Sequence, residues 1–486
     1  MRRCATMALD DPKVLVRYHD VLLFLLAYPE DAQLHAEAER ELHRVAAAAK
    51  VLHGRSERAR RTLDDSGIAW SQTTYAFSYP VVRWLAERHP SVAEIADSTE
   101  IEPLKRLLRV CLPAMEYELV GERAVAIGEL FSDAKGDGAQ TNVSWLVQQL
   151  ERLACDAPVR ERLFDDTEPY ITLTPKDAPL SRTFARGLPA PLFFHRQGLQ
   201  RAFDLQKLIA MPLPPRRRLS LHDRRHLIDT ARGVLAMLGR ETDVITLAAE
   251  AATESFDLER GISIALYSMP PQRRFPLDTH VGMMVFKNGV PAAYGGGWPF
   301  LGTCKIGVNV FPAFRGGESS LLFAQVLRVY QQRFAAQRFL VEPYQIGEGN
   351  PEGVRSGAFW FYYRLGFRPL GKRHAELARA EFERIGRDRS YRSPLNVMRR
   401  LSHADMELPI SPSSGARNDW SDPAHLSLAV SGWIGREFSG DRARAQRAAR
   451  RRVVRALDIR DAARWTPAER FALDSLSLLL AMIPDL

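Results

Sequence analysis

Cysteine is scarce in this chain. Cys4, Cys111, Cys155 and Cys304 are scattered over 486 residues. None of their spacings suits zinc, so no metal centre is expected, and so few cysteines argue against a disulfide-built fold. Long apolar runs are also lacking. The most apolar stretches, around Val21–Leu26 and Leu476–Ile483, are too short to span a bilayer. The opening residues carry Arg2 and Arg3 but no apolar run after them, which is not the pattern of a signal peptide; Met7 is a second candidate initiator. These absences lead us to expect a cytoplasmic protein with no membrane span. Several catalytic signatures are missing too. There is no Gly-x-Ser-x-Gly elbow, no His-Glu-x-x-His and no Walker-type Gly-Lys-Ser/Thr.

What is present is the composition of a globular protein, with 46% hydrophobic and 26% charged residues. The length suits two to four domains. A net charge of +9 favours anionic ligands or surfaces.

Apolar residues at three- and four-residue spacing predict helices from Val14 to Phe164, with a break at Pro29. We therefore expect a helical N-terminal region over residues 1–164, in which no chemistry is legible. Residues 165–218 read as a strand-containing connector that ends in a linker around Arg216–Arg218. Ser220 or Asp223 is the expected N-cap of the next helix. Strand and hairpin signals follow. Asn288-Gly289 between two alternating runs predicts a two-residue turn, Lys305–Phe311 a strand, Ser319–Phe334 a helix, Arg338 onward a strand and Ser356–Leu365 a short helix. Gly295, Gly296 and Gly297 read as a bulge or turn, because Trp298-Pro299 follows them rather than a helix. The expected fold class is α+β: a mixed, mainly antiparallel sheet flanked by helices over residues 219–372, with helical regions on both sides. Residues 373–486 form a charged helical C-terminal region. Within it Arg442, Arg444, Arg447, Arg450, Arg451, Arg452 and Arg455 lie on one segment, read either as the solvated face of a packed helix or as a patch for nucleic acid or an acidic partner.

The chemistry concentrates between Val308 and Phe367. A strand that turns into a helix through Arg315-Gly316-Gly317 aims free backbone N–H groups at one spot, which suits a phosphate. The run Val310-Phe311-Pro312-Ala313-Phe314-Arg315-Gly316-Gly317 resembles the acyl-CoA-binding turn of the GCN5-related N-acetyltransferases. Ala358 to Phe367 resembles that family's later helix, which reads Ala-x-x-x-Tyr-x-x-x-Gly-Phe. The resemblance covers about residues 260–370. It implies an acyl-CoA co-substrate, acetyl-CoA above all, and an amine acceptor, either a small molecule or a peptide. Val310 or a neighbour is then the main-chain N–H donor to the thioester carbonyl. Arg315, Gly316, Gly317, Ser319 and Ser320 would hold the pyrophosphate. Tyr362 falls at the general acid's place; Tyr363, about 100° round the helix, is the weaker candidate. Glu342, Glu348 and His280 are candidate bases, with Glu342 preferred. Trp360 and Phe361 are expected to pack the helix.

The turn departs from the family's Arg-x-x-Gly-x-Gly/Ala pattern. Glu318 stands at the middle glycine and Ser320 at the last position. A carboxylate beside a pyrophosphate is repulsive unless it faces solvent or an arginine. Glu318 thus points either to altered cofactor geometry or to a scaffold that keeps the fold without acyl transfer.

Overall fold

The structure is a computed structural model that describes residues 8–121, 124–136, 138–176, 179–274, 280–388, 390–410, 423–484 and 486. Cys4 and Met7 lie outside the described residues. Segments with a period of two gather into two sheets. β1 (Thr73–Tyr75), β2 (Ala93–Ile95) and β3 (Ile171–Leu173) make the smaller one, antiparallel with β3 in the middle. The larger sheet contains β4 (Glu254–Asp257), β5 (Ile262–Ser268), β6 (Val281–Lys287), β7 (Val290–Phe300), β8 (Thr303–Val310), β9 (Arg338–Val341), β10 (Arg368–Pro369) and β11 (Met406–Pro409). Its order is β10-β11-β9-β8-β7-β6-β5-β4, and only β8–β9 is a parallel pair. The fold is α+β, with a mixed, mainly antiparallel sheet.

The Asn288-Gly289 turn joins β6 to β7 as the sequence predicts. Both residues have positive φ, 48° and 77°, as a type I′ turn requires. Every residue of β6 is buried, because helices cover the sheet. Pro12–Ala27 and Ser319–Phe334 both pack on β7. Ser319–Phe334 buries ten consecutive residues, Leu321 to Tyr330. Each buried Leu or Phe among them contributes roughly 1.5–3 kcal/mol.

Three hydrophobic cores divide the chain differently from the sequence expectation. The helices Pro12–Ala27, Ala32–Arg55 and Glu57–Leu63 share the core of the large sheet, through residues such as Leu15, Leu22, Leu42 and Leu63. Residues from Phe77 to Leu173 form a second core with the small sheet. The helix Leu221–Ala236 belongs to both, giving Leu227 and Val234 to the first core and Ala236 to the second. Ser220 caps it, with Asp223 completing a capping box. The third core lies among Pro423–Phe438, Arg442–Ala456 and Pro467–Leu480.

Three local expectations are corrected. The Arg216–Arg218 segment is not a free linker: the Arg217 N–H donates to the Ser255 carbonyl at 2.9 Å, beside edge strand β4. The sheet takes β11 from residues 406–409, beyond the expected boundary at 372. Gly295–Gly297 is neither bulge nor turn, since all three lie in register along β7. Close neighbours explain the glycines. A Cβ at 295 would meet the Gly307 carbonyl at 2.1 Å, one at 296 the His280 ring at 2.4 Å, and one at 297 the Tyr330 ring at 2.5 Å.

Candidate active site

β8 and β9 pair over three residues only, Thr303–Lys305 against Arg338–Leu340. β8 then runs on to Val310, while β9 stops at Val341. A cavity of about 370 Å³ opens beside the unpaired part of β8. Val308, Asn309 and Val310 line it from the strand, and Arg315, Ser319 and Ser320 from the turn and the helix that follows. Gln345, Glu352, Phe361, Tyr362 and Arg364 line it from the segment after β9.

Strand alternation sets which backbone groups face this cavity. The Phe311 N–H donates to Ala292 of β7 at 3.0 Å. The N–H groups of Val308 and Val310 therefore point the other way, toward the cavity. The Val310 carbonyl accepts from Arg315 Nε at 3.0 Å.

Pro312–Phe314 forms a single 3₁₀ turn. The first bond of the next helix runs from the Leu322 N–H to the Glu318 carbonyl. Ser319, Ser320 and Leu321 thus occupy the first helical positions, where N–H groups lack an intrahelical partner and the helix dipole is positive. The Glu318 N–H is taken up by the Tyr28 hydroxyl, at 3.3 Å. Neither glycine lines the cavity. Gly317 is required by Tyr28, whose ring lies 2.9 Å from the place of a Cβ, whereas Gly316 faces open space. The expectation that both glycines admit a phosphate gives way here to a packing reason for Gly317.

Glu318 turns away from the cavity. Its carboxylate is buried and bonds the Lys287 ammonium at 3.0 Å, the Arg260 guanidinium at 2.5 Å and the Gln200 N–H at 2.7 Å. Burial pushes its pKa up, but bonds from Arg260 and Gln200 and the Lys287 charge outweigh this and hold it below the ordinary value. Lys287 is fully enclosed, between the rings of Tyr28 and Phe193 at 5.1 and 5.5 Å. Burial lowers its pKa to about 8, against the pull of Glu318. His195 lies 3.8 Å from Glu318, with its Nε2 buried and unpartnered. Burial, with Lys287 beside it, brings its pKa to about 4. This cluster leaves no local pattern in the sequence, because its members are spread from Tyr28 to Glu318. The one local hint was Lys287 itself, an ionisable residue closing an apolar strand.

The second motif delivers Tyr362 to the cavity on the helix Ala358–Arg364. Its ring meets Phe323 and Phe367 edge-on. Burial raises its pKa to about 12, with the Val308 N–H pulling the other way. Phe361 lines the cavity too, contrary to the expectation that it only packs the helix. Trp360 does pack, against Phe359, Tyr363 and Phe382. Tyr363 lies in that same cluster under Arg368, at 4.2 Å.

None of the three candidate bases lines the cavity. Glu342 follows β9 directly, half-exposed and paired with Lys305 at 2.9 Å. Glu348 pairs with His403 at 2.9 Å. His280 stacks on Trp298 at 4.0 Å, and burial lowers its pKa to about 4. The carboxylate that does line the cavity is Glu352, in the first turn of the helix Pro351–Ser356, a residue outside both motifs. It holds Arg315 at 2.8 Å and Arg240 at 3.6 Å, and the Arg315 bond keeps it below the usual carboxylate range.

Among the described residues no group of His, Cys, Asp or Glu is placed to hold a metal ion, and no helix is long and apolar enough to cross a membrane. Comparison of the chain with models of known families, with curated proteins and with solved structures finds no match.

Proposed function

We propose that the chain is an acyltransferase of the GCN5-related type, moving an acyl group, acetyl in the simplest case, from acyl-coenzyme A to an amine by direct attack on the thioester. One observation carries the reading. A helix N-terminus with unpaired N–H groups, a strand N–H and a buried tyrosine hydroxyl converge on one cavity where two parallel strands part. Its volume of about 370 Å³ lies in the range of small-molecule sites, roughly 300–1,000 Å³.

Each part has a task in this reading. Ser319 and Ser320, with Arg315, hold the phosphates. The Val310 N–H faces the carbonyl oxygen and stabilises negative charge as it develops. The co-substrate supplies the activated thioester. Tyr362, kept protonated by the burial that raises its pKa to about 12, gives its proton to the departing thiolate and regains one, through water, from the attacking nitrogen of the tetrahedral intermediate. The incoming ammonium loses its proton through water, since the lining carboxylate, Glu352, is committed to two arginines. Glu318 does not oppose an anionic ligand, because its charge is spent inside the protein on Lys287 and Arg260.

Titration calorimetry with acetyl-CoA tests the proposal. We expect saturable binding and a thermal shift that desulfo- or dephospho-fragments reproduce only in part. Absence of both heat and shift at millimolar ligand sinks it. Binding without coenzyme A release across a panel of small and peptide amines instead favours a scaffold that keeps the site but not the reaction.

A further inference from the structure

We propose that the helix Arg442–Ala456 carries a docking surface for the phosphate backbone of duplex nucleic acid. The helix has seven arginines and no acidic residue. Its buried side is Ala445, Ala449 and Val453, which pack in the C-terminal core. At 100° per residue, Arg444, Arg447, Arg451 and Arg455 fall on the opposite side, one above the other. All four are exposed, and none has a side-chain partner among the described residues. The arginines nearer the core behave differently: Arg450 pairs with Asp474 at 3.2 Å, and Arg452 donates to the Ile483 and Pro484 carbonyls. The fold thus satisfies Arg450 and Arg452 and leaves the outer stripe unpaired among the described residues; Arg442, at the helix start, is exposed as well.

The geometry of the stripe selects the partner. Eleven residues of helix rise about 16 Å, a length over which duplex DNA presents about ten phosphate charges, one per ~1.7 Å. Guanidinium groups match phosphate oxygens two at a time. A membrane surface fits less well, because an interfacial helix inserts its apolar face, and here that face is used in the core. An acidic peptide would need an apolar anchor, yet the residue enclosed between Arg444 and Arg451 is Ala448. Contacts made by four arginines to backbone phosphates carry no sequence information, so binding is sequence-independent.

Fluorescence anisotropy with the full chain tests this, using labelled 20-base-pair DNA and RNA duplexes. Four neutralised phosphates give a slope of about −3.6 in log K against log salt, so affinity falls about 150-fold between 50 and 200 mM salt. Changing Arg444, Arg447, Arg451 and Arg455 together to Gln should bring the slope close to zero, with circular dichroism unchanged because the residues lie off the core. The same four changed to Lys should keep most of the slope. Binding to one duplex type alone supports the proposal and identifies the source. No binding at 50 mM salt overturns it. So does an unchanged slope in the Gln variant, or retention on phosphatidylserine vesicles or polyglutamate with no duplex binding.

Discussion

Replacing Glu318 by Gln removes one charge and almost no volume, so its effect isolates the buried ion cluster. Lys287 would keep the Arg260 carbonyl as a partner but lose its carboxylate, at 3.0 Å, while remaining wholly enclosed. Breaking a buried pair from one side costs about 3–5 kcal/mol. The lower end applies, because the Arg260 side chain is 21% exposed and can turn to water. At about 2–4 °C per kcal/mol for a domain of 150–250 residues, a loss of about 3 kcal/mol lowers the main unfolding midpoint by roughly 6–12 °C. Differential scanning fluorimetry reads this directly. Adding Lys287→Met to Glu318→Gln should recover most of the loss, since the stranded charge is then gone and Met fills similar space. A single variant within about 2 °C of the parent, or a double variant less stable than either single one, refutes the assignment of the cost to an unpaired ammonium.

Further outcomes follow from the same geometry. Gly317→Ala should cost about 1–3 kcal/mol by pressing on the Tyr28 ring, whereas Gly316→Ala should be silent; urea unfolding of the pair checks the contrast. Tyr362→Phe should lower kcat about 10²–10⁴-fold with little change in acyl-CoA affinity, read from thiol release and calorimetry; equal loss in both would remove Tyr362 from proton transfer. Glu352→Gln frees Arg315 from a partly exposed pair worth about 0–1 kcal/mol, so acetyl-CoA should bind up to about 5-fold tighter, and weaker binding would count against competition for Arg315. Above pH 8 the folded chain has released the Lys287 proton, while the unfolded chain keeps it to about 10.5. The unfolded state then binds more protons, so rising pH favours the folded state. Over pH 8–10.5 the parent should gain stability relative to Lys287→Met, by up to ~1.4 kcal/mol per unit, in parallel urea titrations.

Local signals were legible where the reason for an element was local. Asn288-Gly289 needs positive φ at two residues, and the apolar repeat of Ser319–Phe334 marks a helix; both were readable in a window of a few residues, whereas the burial of ten consecutive residues of that helix was not. Tyr362 was readable only through the resemblance of Ala358–Phe367 to Ala-x-x-x-Tyr-x-x-x-Gly-Phe, a pattern contained within one short stretch of chain. Glu318 was not. Its residue type argued for repulsion at the turn, and only the long-range arrival of Lys287 and Arg260 reverses that reading. Glu342 failed as a cavity residue for a related reason: Pro343 starts a new helix at once, and the side chain meets Lys305 outside the cavity. β11 was hidden because Met406–Pro409 is four residues long and lies between charged segments, so its strand character comes from pairing with β9 rather than from its own pattern.

That late strand has a practical consequence for dividing the chain. β11 sits between β9 and β10, so a fragment ending at residue 372 would retain both neighbours and lose what joins them. β9, four buried residues long, would become an open edge of the kind that recruits other chains. The fragment should therefore aggregate, while one extended past Pro409 should stay dispersed. During synthesis the same dependence means that the wall carrying Tyr362 is made well before the strand that closes the sheet behind it.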